Sequence, residues 1–491
     1  MANTKNKTIN ILFTAVEADP LIKVGGLGDV AYALPHALRL LPPDQTGGYQ
    51  LDARLVLPCH AAIREKCKEL NPIADFKVPL QDGIVSARAA MTEINGLPVY
   101  LISGPLIPMD SPVYSNDHHL DGIKFTFFSL ACLELARQLN WRPDILHGND
   151  WHTAIALYTL NERKQTDPFY QRTSSVITIH NLPFMGSGTE EELSMFGVKP
   201  SGDNRLPEWA RFLPLPMALS AADYIIAVSP SYANELLTPE FGCGLENFLY
   251  QRKDRLLGIV NGIDMNIWNP ATDSSIPVRY SINNLAQRQQ NKAHLLSEVG
   301  LEPDLNTPLL IMIGRMDHQK GVDLAIDALK QISDLNWKAI LLGKGDPQLE
   351  KATQQLETEM PNKVRAATRF DMPLARKMYA GGDMILMPSR YEPCGLAQMI
   401  AMRYGCVPIA RSTGGLRDTI LDIKTNPAQG TGFLFDAISS TELADTIRQA
   451  IEAYSNPETW LAIQKRCMAQ DFSWHRSAIQ YAQIYRKLYE K

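Results

Sequence analysis

Short apolar runs alternate with longer amphipathic stretches along most of the chain, and the alternation pauses once. In the first half the runs fall at 8–15, 54–57, 78–80, 86–91, 98–102, 143–147, 175–179 and 224–228. Those that are apolar throughout, such as 8–15, predict strands buried on both faces of a parallel sheet. Helical patterns lie between them at 30–40, at 123–139, and from the turn Asn149-Asp150-Trp151-His152 to about 162. From 257 to about 290 the chain turns polar, through Asn261-Gly262-Ile263-Asp264 and Trp268-Asn269-Pro270, and reads as an interdomain connection. A second alternation follows, with strands predicted at 309–313, 339–342, 363–367, 384–387, 407–410 and 432–435, and an amphipathic helix at 475–489 closes the chain. The pattern predicts an α/β protein with two doubly wound domains, 1–262 completed by helix 475–491, and 263–474. Open α/β sheets bind ligands at the carboxyl ends of their strands, so two such domains are expected to face each other across a cleft lined by polar strand ends.

Composition narrows the chemistry. At 491 residues the chain is too long for one ordinary core. A net charge of −5 leaves no basic footprint for nucleic acid. The seven cysteines (59, 67, 132, 243, 394, 406 and 467) contain no C-x-x-C pair, which predicts reduced thiols in a cytoplasmic protein and neither a disulfide framework nor a zinc knuckle. Residues 1–7 are polar and lack the apolar core of a secretory leader, and no apolar run reaches membrane-spanning length, so a membrane partner is not expected. A plastid location would require that a transit peptide had been removed.

Four turns carry candidate chemistry. Gly26-Leu27-Gly28-Asp29-Val30-Ala31 matches G-x-G-x-x-A, but a long loop separates it from its strand and no acidic residue follows at the expected distance, so a dinucleotide fingerprint is rejected. The adjacent Gly25 and Gly26 still permit close backbone approach, with Lys23 as a cation beside them, unless the stretch is merely a flexible loop with a solvated lysine. Arg315 and Lys320 bracket a loop between a strand and a helix predicted at 322–332; two cations there suit a diphosphate, or are simply solvated. Glu392 sits in Pro388-Ser389-Arg390-Tyr391-Glu392-Pro393-Cys394-Gly395-Leu396, a strand–turn–helix passage where a carboxylate can face a pocket. Thr413-Gly414-Gly415-Leu416 is either an anion nest or an ordinary turn. Asp150 and His180 end two strands of the first half, where histidine can bind hydroxyls or act as a base. His147 reads as a core histidine, and His118-His119 as a loop pair with no third ligand, so no metal site is expected.

Taken together these segments resemble the bacterial glycogen and plant starch synthases, retaining glucosyltransferases of the two-Rossmann-domain (GT-B) type. The matching stretches are Lys23–Asp29, Asn149–His152, Thr178–Asn181, Val228–Tyr232, Thr238–Phe241, Val260–Asp264, Gly314-Arg315 with Gln319–Gly321, Pro388–Leu396 and Ser412–Leu416, in family order over nearly the whole chain. The Lys-x-Gly-Gly-Leu start is specific to this synthase group, whereas the Arg…Lys…Glu-Pro-x-Gly set is shared more widely among retaining GT-B enzymes.

The resemblance implies transfer of glucose from ADP-glucose to the non-reducing end of an α-1,4-glucan such as glycogen or a maltooligosaccharide, with retention and with no cofactor or metal. It implies that Lys23, Gly25 and Gly26 touch the donor's phosphates and sugar, that Arg315 and Lys320 neutralise the leaving diphosphate, and that His180 binds glucosyl hydroxyls. Asn261 would face the donor. Glu392 would hold the glucose hydroxyls, helped by the N–H groups of Cys394, Gly395 and Leu396, while Thr413 and Gly414 would bind phosphate. Phe370 would stack on the nucleotide base, and Asp150 would line the acceptor or sugar site. No carboxylate pair of glycosidase type is evident in the sequence, in keeping with front-face retention. The segment Leu215–Asp223 departs from the family by lacking a cation, which leaves acceptor contacts or chain-length preference open; Pro183-Phe184-Met185 departs near the acceptor side too, and Val24 stands as a variant of the family's frequent Thr. Two alternatives remain: a related transferase using UDP-glucose or a small sugar or sugar-phosphate acceptor, and a non-catalytic glucan-binding paralogue.

Overall fold

The structure, a computed structural model, describes residues 7–67, 70–108 and 110–491. The leaderless reading of the N-terminus rests on residues of which 1–6 lie outside this set. Two compact units are present, one spanning Met1–Gly262 and Trp474–Lys491, the other Ile263–Ser473.

In the first unit the described residues form a nine-stranded sheet. Its strands are β1 (Lys7–Thr14), β2 (Tyr49–Pro58), β3 (Asn71–Leu80), β4 (Gly83–Ile94), β5 (Leu97–Ser103), β6 (Ile145–Asn149), β7 (Ser174–Ile179), β8 (Tyr224–Ala227) and β9 (Leu256–Gly258), in the order β3-β4-β5-β2-β1-β6-β7-β8-β9. All neighbours are parallel except β3–β4 and β4–β5. β1 lies inside the sheet between β2 and β6, and Ile9, Ile11 and Phe13 are fully buried, as its unbroken apolar run requires. The antiparallel β3–β4 hairpin alternates buried and exposed residues because one face of an edge hairpin meets water; it is longer than the short runs read from sequence.

Three further readings are corrected. Leu256–Gly258, assigned to the interdomain connection, is the edge strand β9 paired with β8; three residues are too few to show a periodic pattern. The first helix starts at Gly26 rather than at Asp29 and ends at Leu40, because a buried carboxylate serves the amides at its entrance (below). His118 and His119 open the helix His118–Gln138 instead of lying in a loop, since Asp117 caps it by accepting from the His119 and Leu120 amides.

The second unit has a six-stranded parallel sheet of β10 (Leu309–Ile313), β11 (Lys338–Leu342), β12 (Val364–Ala367), β13 (Met384–Met387), β14 (Val407–Arg411) and β15 (Phe433–Phe435), ordered β12-β11-β10-β13-β14-β15. Counted along this unit the order is 3-2-1-4-5-6, that of the dinucleotide-binding doubly wound fold. The strand order reverses between β10 and β13 here, and between β1 and β6 in the first unit, so the loops leaving those four strands define the two positions where ligands are expected.

The amino ends of the strands share one device that the sequence pattern does not display. Asp144, Asp223 and Asp383 immediately precede β6, β8 and β13. Their carboxylates accept from the amides of Asn10 (2.8 Å), Ser175 (3.0 Å) and Leu309 (2.9 Å) on the neighbouring strand. Asp383 also meets Lys292 at 2.7 Å and Arg288 at 3.4 Å, with all three side chains buried. Removing a carboxylate from such a cluster leaves buried cations without their partner. Asp383→Ala is therefore expected to lower the stability of the second unit by about 3–5 kcal/mol, read as an earlier transition in urea; an unchanged midpoint would contradict this role.

Candidate active site

At the switch point of the second unit, three turns lock together. The turn after β10 carries Arg315 and Lys320, the turn after β13 carries Glu392, and the turn after β14 carries Thr413–Gly415. Gly321 has φ +69°, and a Cβ there would lie 2.2 Å from the Pro388 carbonyl oxygen, so only glycine lets the first turn meet the second. Gly415 plays the same part between the second and third: a Cβ would come within 2.1 Å of the Cys394 carbonyl oxygen, and its N–H donates to the Glu392 carbonyl at 3.0 Å. Arg411 donates to the carbonyls of Ser389 and Arg390. The Arg390 guanidinium meets both oxygens of Asp323 and the His318 carbonyl, and Gln398 Nε2 ties the Cys394 and Gly395 carbonyls.

These supports place the functional side chains. Lys320 Nζ donates to both carboxylate oxygens of Glu392, at 2.9 and 2.7 Å, and Ser389 Oγ donates to one of them at 2.9 Å. Glu392 is buried and the Lys320 side chain is about one quarter exposed (23%), so the pair sits where water screens it only in part. The Lys320 amide is held by Asp317 Oδ1 at 2.9 Å. Arg315 is exposed and pairs with Asp317 at 2.9 Å; it also reaches Gln319, whose amide nitrogen donates to the Tyr391 carbonyl. Structure thus brings together Lys320, Glu392, Cys394, Gly395 and the Thr413–Gly415 turn, with Arg315 linked through Gln319. Phe370 stands apart on the loop after β12 and is 81% exposed.

In the first unit the loops after β1, β6 and β7 build a second polar cluster. Lys23 Nζ lies 2.6 Å from Asp29. The buried carboxylate of Glu17 accepts from the Val24 and Gly25 amides at 2.5 and 2.9 Å and from the Tyr114 hydroxyl at 2.8 Å. Asp150 follows β6 with φ +53°, a conformation that non-glycine residues seldom adopt. Its carboxylate accepts from the His180 amide at 2.7 Å. Burial, with a smaller contribution from the charge of Glu17, pushes the Asp150 pKa up to about 7 against the pull of two backbone N–H groups. Asn149 Nδ2 donates to the Thr14 carbonyl, which turns Oδ1 toward His180 Nε2 at 2.9 Å. His180 therefore carries its proton on Nε2 and offers Nδ1 as an acceptor. Burial pushes its pKa down to about 3, so it is neutral near pH 7, a state better suited to hydroxyls than to phosphates. His147 is a buried core histidine between Tyr485 and Thr178. Asn261 is buried, and its Oδ1 and that of Asn181 have no hydrogen-bond partner among the described residues.

Sequence reasoning missed Glu17, Tyr114, Asn149, Asn181, Ser389 and Arg411. All but Ser389, which serves Glu392 three residues on, act through partners distant in sequence; the Asn149-Asp150 and Thr178–Asn181 strand ends were the available signal for two of them. Among the described residues no three His, Cys, Asp or Glu side chains come together in a way that could hold a metal ion, and His119 contacts Glu192 instead. No helix among them is long and apolar enough to cross a membrane.

Two α/β units with polar clusters at their strand-order reversals have the architecture of the GT-B class of glycosyltransferases. The family model for the starch synthase catalytic domain matches residues 10–251, and that for glycosyl transferases group 1 matches 298–465. The chain is 36% identical over 488 residues to the glycogen synthase of Syntrophotalea carbinolica, covering 98% of this chain and 99% of that one. It is 36% identical over 488 residues to the glycogen synthase of Bacillus cereus, covering 98% and 100%. The catalytic domain of starch synthase IV from Arabidopsis thaliana, a structure bound to ADP and acarbose, superimposes with a TM-score of 0.86 at 30% identity over 99% of both chains. The chain belongs to the glycogen and starch synthase family, and its function is that of a glycogen (starch) synthase.

The raised pKa of Asp150 has a consequence for stability. A carboxyl that titrates near 7 in the folded chain and near 3.9 unfolded binds its proton more tightly when folded, so its contribution declines as pH rises from about 4 to about 7. Asparagine mimics the protonated carboxyl and tolerates positive φ. Asp150→Asn should melt above the wild type at pH 8, by a margin that shrinks toward pH 4; a margin independent of pH would contradict the assignment.

Proposed function

We propose that the chain transfers glucose from ADP-glucose to the non-reducing 4-hydroxyl of an α-1,4-glucan, with retention at the anomeric carbon and without a metal ion. The observation that carries this reading is the Lys320–Glu392 pair on interlocked turns at the second unit's switch point. Breaking the bond between the anomeric carbon and the diphosphate develops negative charge on the leaving group and positive charge on the sugar. Lys320 and Arg315 supply fixed positive charge for the first, together with the N–H groups at the start of the helices that follow these turns, Val322–Gln331 and Gly414–Thr419. Glu392, held by Lys320 and Ser389, accepts hydroxyls of the glucosyl ring and fixes its orientation, where a misplacement of about 1 Å can cost roughly a hundredfold in rate. The amides of Cys394, Gly395 and Leu396 assist it, Thr413 and Gly414 bind phosphate, and Phe370 stacks on the base.

From the first unit, Lys23 with Gly25 and Gly26 meets the donor, and Asn261 faces it. Neutral His180 accepts a glucosyl hydroxyl at Nδ1, and Asp150 lines the sugar or acceptor site. The ADP and acarbose bound to the Arabidopsis relative favour an ADP-linked donor and a glucan acceptor for this chain too. Cytoplasmic synthesis fits the dispersed free cysteines.

The test is initial-rate transfer from ADP-, UDP- and GDP-glucose to glycogen, to maltooligosaccharides and to glucose phosphates, with the product's anomeric configuration read by NMR. The expected result is the highest kcat/KM with ADP-glucose and a glucan, giving α-linked product in the presence of a chelator. Preference for UDP-glucose, transfer only to a sugar phosphate, or a β-linked product would overturn the corresponding part.

A further inference from the structure

We infer that Glu17 is a positioning residue for the Lys23 turn, acting as an internal anion around which the chain from Lys23 to Gly28 is folded. Glu17 lies just past the end of β1 and is 1% exposed. One carboxylate oxygen receives two successive amides, Val24 N–H at 2.5 Å and Gly25 N–H at 2.9 Å; the other receives the Tyr114 hydroxyl at 2.8 Å, from a loop 97 residues away. The backbone wraps closely: a Cβ at Gly28 would lie 3.1 Å from Glu17 Oε2 and 3.1 Å from Lys23 Cγ.

A buried carboxylate is costly unless its oxygens are served, and three donors plus the positive end of the Gly26–Leu40 helix serve this one. Burial and the charge of Glu17 keep the Tyr114 hydroxyl protonated, well above its ordinary titration range, so it remains a donor. The turn's first amides are thus already used inside the protein. What the turn presents outward is Lys23, whose Cα and side chain are placed by the anchored amides on its C-terminal side and by Asp29 at 2.6 Å. Glu17 therefore touches no substrate in this account; it sets where Lys23 stands.

This inference rests on the proposed role of Lys23 at the nucleotide sugar, and the experiment separates the two. Glu17→Met keeps the length but leaves both amides and the Tyr114 hydroxyl without an acceptor, whereas Glu17→Asp keeps the charge but is one methylene too short to reach both amides. Full-length wild type and both variants would be compared in three measurements: KM for ADP-glucose and for glycogen, cleavage by trypsin after Lys23, and thermal unfolding. The expected result in both variants is a KM for ADP-glucose raised at least tenfold, a KM for glycogen changed less than twofold, and cleavage after Lys23 at least tenfold faster than in wild type. Wild-type KM with wild-type cleavage overturns the inference. So does a fall in kcat alone accompanied by a lower melting temperature, which marks a merely structural carboxylate, and so does faster cleavage with no change in donor KM. If the wild type turned over no ADP-glucose, the proposed function would fail, and the cleavage rates, which need no substrate, would still decide whether Glu17 anchors the turn.

Discussion

The partly buried pair between Lys320 and Glu392 is the contact on which the proposed chemistry of the second unit depends. It joins turns 72 residues apart, and it exists only because Gly321 and Gly415 let three backbones touch and because Arg411 and Gln398 fix the carbonyls of the middle turn. A Lys–Glu pair partly removed from water is strong in its mutual attraction but costly to assemble, and the dense scaffold of glycines and guanidinium contacts is what holds it in one geometry. In the proposed reaction the same two groups face opposite developing charges. Their pairing keeps each oriented, so little reorganisation is left for the chemical step.

The first unit solves a different problem with different means. Its strand ends hold a histidine kept neutral and an aspartate raised to about 7, both chiefly by burial, and a glutamate locked by backbone amides. Such groups suit hydroxyls better than phosphates. The second unit supplies Lys320 and Arg315, which suit phosphates. The two switch points thus carry different side chains, in a chain that belongs to the glycogen and starch synthase family.

Much of this was legible in the sequence. β10 and β13 were placed to the residue because their runs are apolar throughout and bounded by polar turns. The turns bearing Lys23, Arg315, Lys320, Glu392 and Thr413 were picked out because polar residues at strand ends are conspicuous. What stayed hidden depends on contacts distant in sequence. No local pattern says that Glu17 accepts from Tyr114, that Asp383 caps β10, or that Asn149 sets the tautomer of His180. β9 was missed because three residues form a strand only when a neighbour is there to pair with. The start of the first helix was misplaced because no side chain caps it at Gly25 and the turn leading into it is fixed by a carboxylate from the preceding loop.

The central claim, that Lys320 and Glu392 act as one preorganised unit, is tested most directly by a double-mutant cycle with Lys320→Met and Glu392→Gln, read on kcat for glucosyl transfer. The account predicts that the double variant loses little more than the worse single variant, with a coupling energy above about 1 kcal/mol. Losses that simply add, within about 0.5 kcal/mol, would contradict it.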